Sequence, residues 1–140
     1  MTKDDLEIVC DIEKLCFSEH WRFQSFEESL DSCECFILSK IDLSDEIVGY
    51  FIGLCILDEY EILNIALKPE YQKKGLGFYL VSQIIENHKK KYSKYFLEVR
   101  KNNLNAISMY KKLGFKYLYE RKNYYFSPQE DALVMSLELN

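Results

Sequence analysis

The 140-residue sequence predicts an α/β fold with ten elements in the order ααβββαβαββ. Apolar residues recur at helical spacing in some stretches, whereas others are apolar and β-branched runs broken by polar turns. The only two prolines, Pro69 and Pro128, both fall where one kind of stretch gives way to another.

Residues 3–17 form the first predicted helix, with Ile8, Val9, Ile12, Leu15 and Cys16 on one face and Glu7, Asp11 and Lys14 on others. "SFEESL" opens a second, short helix: Ser25 is placed to cap a free amide and Glu28, three residues on, to answer the serine's own N–H. "CFILSKI", "IVGYFIGLCIL" and "EILNIAL" then read as three antiparallel strands, parted by the turns "LSDE" and "DEY". A long helix starts near Gly75 and carries Leu80, Val81, Ile84, Ile85 and His88 at helical spacing up to a run of lysines suited to a helix C-terminus. "KYFLEVRK" is a strand and "NAISMYKKLG" a helix ended by Gly114; "FKYLYERKNYYF" and "ALVMSLEL" are two further strands.

With 48% hydrophobic residues and no linker or repeat, residues 1–140 are expected to form a single domain around one core. No apolar run approaches the ~18 residues of a membrane span, and the N-terminus is too acidic for a signal or transit peptide, so a soluble, cytoplasmic chain is expected. Neither membrane nor nucleic acid is expected among its partners. The five cysteines are expected to be reduced thiols, and no ligand pattern for a metal accompanies Cys33 and Cys35. Charge is segregated: residues 1–67 carry 16 Asp/Glu against 4 Lys/Arg, and residues 68–126 carry 14 Lys/Arg against 4 Asp/Glu. Such asymmetry suits a polyanionic ligand on the later segment and a cationic partner near the earlier one.

Within the basic segment, "YQKKGLGFYL" has a chemical reading. Gly75 and Gly77 permit positive φ and close approach, so successive N–H groups converge on an anion at a helix start, with Lys73 and Lys74 adding positive charge. Neither a P-loop lysine nor the three-glycine dinucleotide fingerprint is present. "Q-K-K-G-L-G" after "NIALKPEY", followed by "LEVRKNNLNAISMYKKLGF", resembles the GCN5-related N-acetyltransferases (GNAT) from about Leu6 to Leu139. "ILNIAL", "LEVR", "NAISMYKKLGF", "RKNYY" and "EDALVM" resemble, in order, the branch that acetylates the N-terminal alanine of a small-subunit ribosomal protein. After the first helix, where that branch shows Pro-Trp-Ser, this chain has His20, Trp21 and Arg22, so only Trp21 carries over.

The resemblance implies a mixed, mostly antiparallel sheet flanked by helices, with "EILNIAL" splayed from "FLEVR" to form a notch for acetyl-coenzyme A. The cofactor's pantetheine arm would pair with the backbone of Ile65, Ala66 and Leu67, and its pyrophosphate with the amides of Gln72, Lys73, Lys74, Gly75, Leu76 and Gly77. Strand alternation groups Phe96, Glu98 and Arg100 on one face; the resemblance makes Glu98 the general base, directly or through water. Tyr110 shares helical spacing with Ile107 and Leu113 and reads alone as a core aromatic; the resemblance makes it the general acid for the leaving thiolate. Asn103 is either a contact to the cofactor arm or a helix cap.

An α-amino group of pKa about 7.8 is about 14% neutral at pH 7, against about 0.04% for a lysine side chain, so a chain N-terminus is the easier acceptor. Glu61, with Glu59 and Asp58, either attracts a cationic peptide terminus or forms a polar hairpin turn. Tyr124 and Tyr125 either line the peptide groove or pack as strand tyrosines. The expected function is N-terminal acetylation of a ribosomal protein by direct transfer. The alternatives are acetylation of a small amine or lysine side chain and a non-catalytic coenzyme A-binding domain.

Overall fold

The computed structural model describes residues 1–40, 42–126 and 128–140; Ile41, the end of the first predicted strand, lies outside the described residues. After a 3-10 turn (Lys3–Asp5) come α1 (Leu6–Cys16), α2 (Phe23–Ser32), β1 (Glu34–Ser39), β2 (Ile47–Ile56) and β3 (Glu59–Leu67). A second 3-10 turn (Pro69–Tyr71) leads to α3 (Leu76–His88), β4 (Lys94–Arg100), α4 (Leu104–Lys112), β5 (Lys116–Phe126) and β6 (Gln129–Glu138). The expected order of ten elements is the one observed.

One sheet runs β1-β2-β3-β4-β6-β5. Among the described residues its only parallel pair is β3–β4, which α3 joins as the crossover that parallel neighbours require. On one face α1 and α2 bring Leu6, Val9, Ile12 and Phe26 against Tyr50, Ile52 and Ala66. On the other, α3 and α4 bring Leu80, Val81, Ile84, Ile107 and Tyr110 against Tyr60, Ile62, Tyr95, Leu97 and Val99.

Two irregularities of β3 position the site. Its register with β2 passes from Gly53↔Ile62 to Ile52↔Asn64, leaving Leu63 as an extra residue, a β-bulge. Tyr60 and Ile62 therefore face α3, whereas Asn64 and Ala66 beyond the bulge face α1. The parallel register with β4 spans Glu59↔Lys94 to Ile62↔Leu97 and then stops. Beyond that point β3 stays with β2 and β4 with β6, so a wedge opens between them.

Three local expectations are corrected. In α1, Ile8 is 42% and Leu15 64% exposed, while Leu6, Cys10 and Glu13 are buried. The packed stripe runs through Glu13 because its carboxylate finds three donors inside. Helix α2 starts at Phe23 with Arg22 as N-cap, so Ser25 is no cap; its amide already donates to the Arg22 carbonyl at 3.0 Å, and Glu28 accepts from Gln24. The turn "DEY" shrinks to Leu57–Asp58, because Tyr60 is fully buried as part of β3. No helix among the described residues is long and apolar enough to cross a membrane.

Candidate active site

The cofactor side begins where β3 ends. Lys68 N–H donates to the Val48 carbonyl at 2.8 Å, so alternation turns the backbone of Ala66 toward β2 and that of Ile65 and Leu67 toward the wedge. The Leu67 carbonyl already accepts from Gln72 Nε2 at 2.9 Å and Cys16 Sγ at 3.1 Å. Ile65 is therefore the residue here whose N–H and C=O both face the opening.

Gly75 caps α3 with φ +79°, and a Cβ added there would meet nothing within 4 Å. The backbone conformation, not crowding, demands glycine. Gly77 is glycine for the opposite reason: a Cβ would lie 3.2 Å from Met109 Sδ, so its absence brings α3 close to α4. Lys73 is also left-handed, at φ 60°. Among the described residues no carbonyl accepts the main-chain amides of Lys73, Lys74, Gly75, Leu76 or Gly77, the donors that a helix start leaves open. Gln72 differs: its amide donates to the Pro69 carbonyl at 3.2 Å, and its side chain holds Leu67. It braces the turn.

A second opening lies on the sheet face away from α3 and α4. There β4 presents Phe96, Glu98 and Arg100, while Tyr95, Leu97 and Val99 are buried under the helices, as alternation predicted. A cleft of about 230 Å³ is lined by Glu59 and Glu61 of β3, Glu98 of β4, and Tyr119 and Arg121 of β5. Arg121 forms an ion pair with Glu98, its Nε 3.1 Å from Glu98 Oε1. The carboxyl of Glu61 is held above its usual range by burial and then by the Glu98 charge, with Arg121 opposing. Tyr124 has its phenol pKa raised, first by hydrogen bonding to Glu98 and then by burial. Burial and the Glu98 charge push Tyr125 up to about 12. The Arg100 guanidinium sits 4.2 Å over the Tyr125 ring.

The loop between α1 and α2 closes one side. Buried Glu13 accepts from the Trp21 amide at 2.9 Å, from Asn64 Nδ2 at 2.9 Å and from the Tyr50 hydroxyl. Trp21 packs on Phe26 at 5.2 Å, and Glu19 pairs with Arg100 at 3.6 Å while accepting the Phe126 amide. The loop is thus tied both to the inner sheet and to the β5–β6 hairpin.

Tyr110 sits apart from the cleft residues, on the buried face of α4 and 5.6 Å edge-on from Phe115. Burial, with a smaller contribution from Tyr125, raises its phenol pKa and keeps it protonated. Asn103 is a helix cap: its Oδ1 accepts the Ala106 amide at 3.2 Å. The fold therefore gathers Glu61, Glu98, Tyr124 and Tyr125 on one face, places Tyr110 under the sheet, and gives Gln72 and Asn103 structural bonds. Sequence reasoning missed Arg121, Arg100 and Glu13. No local pattern tells that β5 will lie across β6 from β4 and bring Arg121 to Glu98, and nothing local marks Glu13 as buried.

A family model described as "Acetyltransferase (GNAT) family" matches residues 6–115. The [ribosomal protein bS18]-alanine N-acetyltransferase of Salmonella typhimurium is 31% identical over 143 residues, covering all of this chain and 95% of that one. The crystal structure of the ribosomal-protein-S18-alanine N-acetyltransferase from Escherichia coli superposes with a TM-score of 0.90 at 30% identity, covering 100% of this chain and 91% of that chain. An acetyltransferase of Bacillus subtilis solved in complex with CoA has a TM-score of 0.79 at 25% identity, covering 100% and 95% of the two chains.

Proposed function

The chain belongs to the acetyltransferase (GNAT) family, and from that premise we propose that it acetylates the α-amino group of the N-terminal alanine of ribosomal protein bS18, with residues 1–140 acting as one catalytic domain. It is an N-acetyltransferase, and its acyl donor is acetyl-coenzyme A. The open amides of Lys73 to Gly77, the left-handed Gly75 and the unpaired edge at Ile65 suit a donor with a pyrophosphate and an amide-bearing arm.

One observation carries the reading of the acceptor: Glu61 and Glu98 face an open cleft at the place where β3 leaves β4. Attack by an amine on a thioester forms the N–C bond, breaks the C–S bond and releases one proton from nitrogen. Glu98 takes that proton, directly or through water. Tyr110 supplies one to the departing sulfur, its burial having kept the phenol protonated. Glu61, Tyr124 and Tyr125 shape the seat of the peptide terminus, and Trp21 bounds it. The acceptor preference of the named relatives and the roughly 350-fold larger neutral fraction of an α-amine over a lysine at pH 7 both favour a chain N-terminus.

The test is mass spectrometry of ribosomal proteins from cells with and without the gene, together with assays on alanine-first peptides and on polyamines. Loss of one N-terminal acetyl group from bS18 is expected. Turnover of polyamines without turnover of the peptides would overturn the reading.

A further inference from the structure

We propose that Arg121 is a resident counter-ion of the acceptor cleft: its guanidinium pairs with Glu98 until the acceptor's ammonium arrives, then yields the carboxylate and swings outward. The inference rests on the reading of this cleft as the acceptor site.

The cleft lining carries three carboxylates, on Glu59, Glu61 and Glu98, and among the described lining residues Arg121 is the sole cation. Carboxylates that share a cleft repel, and a cation among them lets them be charged together. An incoming α-ammonium offers the same charge, so two cations compete for one site. Arg121 is suited to lose that contest. Its nearest approach to Glu98 is through Nε, at 3.1 Å, its hydrogen-bonding partner is Tyr119, and its side chain is 47% exposed against 20% for Glu98. Its register partner is Ala132, and regular pairing with β6 then lapses until Tyr125↔Glu130. Arg121 thus stands at the edge of an irregular stretch with solvent on one side. The Tyr124 ring lies 5.5 Å from the guanidinium carbon and gives it an outer surface to rest on. The uncharged Val134 is what β6 contributes to the lining, and β5 adds the phenol of Tyr119.

The experiment uses two peptides, one with an N-terminal alanine and its des-amino analogue, which lacks only the nitrogen. Calorimetry in the presence of coenzyme A measures both without turnover. Arg121→Gln is expected to bind the amino peptide about two- to five-fold more tightly than wild type, the factor corresponding to an exposed ion pair, and to leave the des-amino peptide unchanged. Equal changes for the two peptides, or none, would make Arg121 a plain peptide contact or a bystander and overturn the inference. If wild type binds neither peptide, the acceptor-site reading fails first. Where Arg121→Gln does not fold, the Arg121 Nε–H resonance of the wild type gives the answer. The amino peptide should move it from its position beside Glu98 and the des-amino peptide should not; identical spectra with both would refute displacement.

Discussion

Replacing Glu13 by alanine should both weaken the fold and loosen the acceptor side. The carboxylate is 2% exposed and serves three donors on three elements: the Trp21 amide, Asn64 Nδ2 and the Tyr50 hydroxyl. Tyr50 keeps a second, longer partner in Asn64 Oδ1 at 3.3 Å, so alanine leaves two donors without an acceptor. At about 1–3 kcal/mol for each stranded donor, the loss is about 2–6 kcal/mol. Unfolding entropy near 2.1 cal/mol/K per residue amounts to about 0.3 kcal/mol/K for a chain of this length, so Tm should fall by about 7–20 °C. Thermal unfolding followed by circular dichroism reads that shift. Under the proposed reading, in which Trp21 bounds the seat of the peptide, steady-state kinetics should show a raised KM for the peptide and an unchanged KM for acetyl-coenzyme A. A Tm loss below about 2 °C, or equal changes in both KM values, would refute the account of Glu13 as the tie between loop and sheet.

Tyr110→Phe keeps the ring against Phe115 but removes the proton source; kcat should fall about 100-fold while coenzyme A affinity, read by calorimetry, holds. Gly75→Ala meets no neighbour and so reports backbone strain alone, expected at about 1–2 kcal/mol in denaturant titration together with weaker coenzyme A binding. Glu61 has a raised folded pKa, so its favourable contribution is present at low pH and is lost as pH rises through that pKa. Glu61→Gln should therefore raise Tm at pH 8 and leave it nearly unchanged at pH 4; the opposite ordering would contradict the burial and Glu98 repulsion that cause the shift.

The order of elements was legible because each carries its own period, and the splay of β3 from β4 followed from the motif resemblance. Less was legible where tertiary contacts override local rules. Ile8 and Leu15 look like core residues by spacing, yet the sheet takes the neighbouring stripe through Glu13, whose partners come from distant segments. Ser25 and Glu28 satisfy a capping rule, but burial of Phe26 goes with a helix that starts two residues earlier. At the site, Glu98 was placed on the correct face by alternation alone. Its partner Arg121 was not found, because no local pattern says which strand will lie beyond β6. Gln72, expected to offer its amide to the pyrophosphate, gives it to the Pro69 carbonyl, and Asn103 takes the helix-cap alternative offered for it.

The extra residue at Leu63 lets a single strand serve two masters. Ahead of it, tyrosine and isoleucine feed the layer under α3; behind it, asparagine and alanine feed the layer under α1. Deleting that one position would make the strand's zigzag continuous, so that seating one half correctly would turn the other half inside out. Either Asn64 would leave the Glu13 pocket, or Tyr60 would rotate into water and carry Glu61 inward. A one-residue deletion here should therefore be far more damaging than any substitution of Leu63.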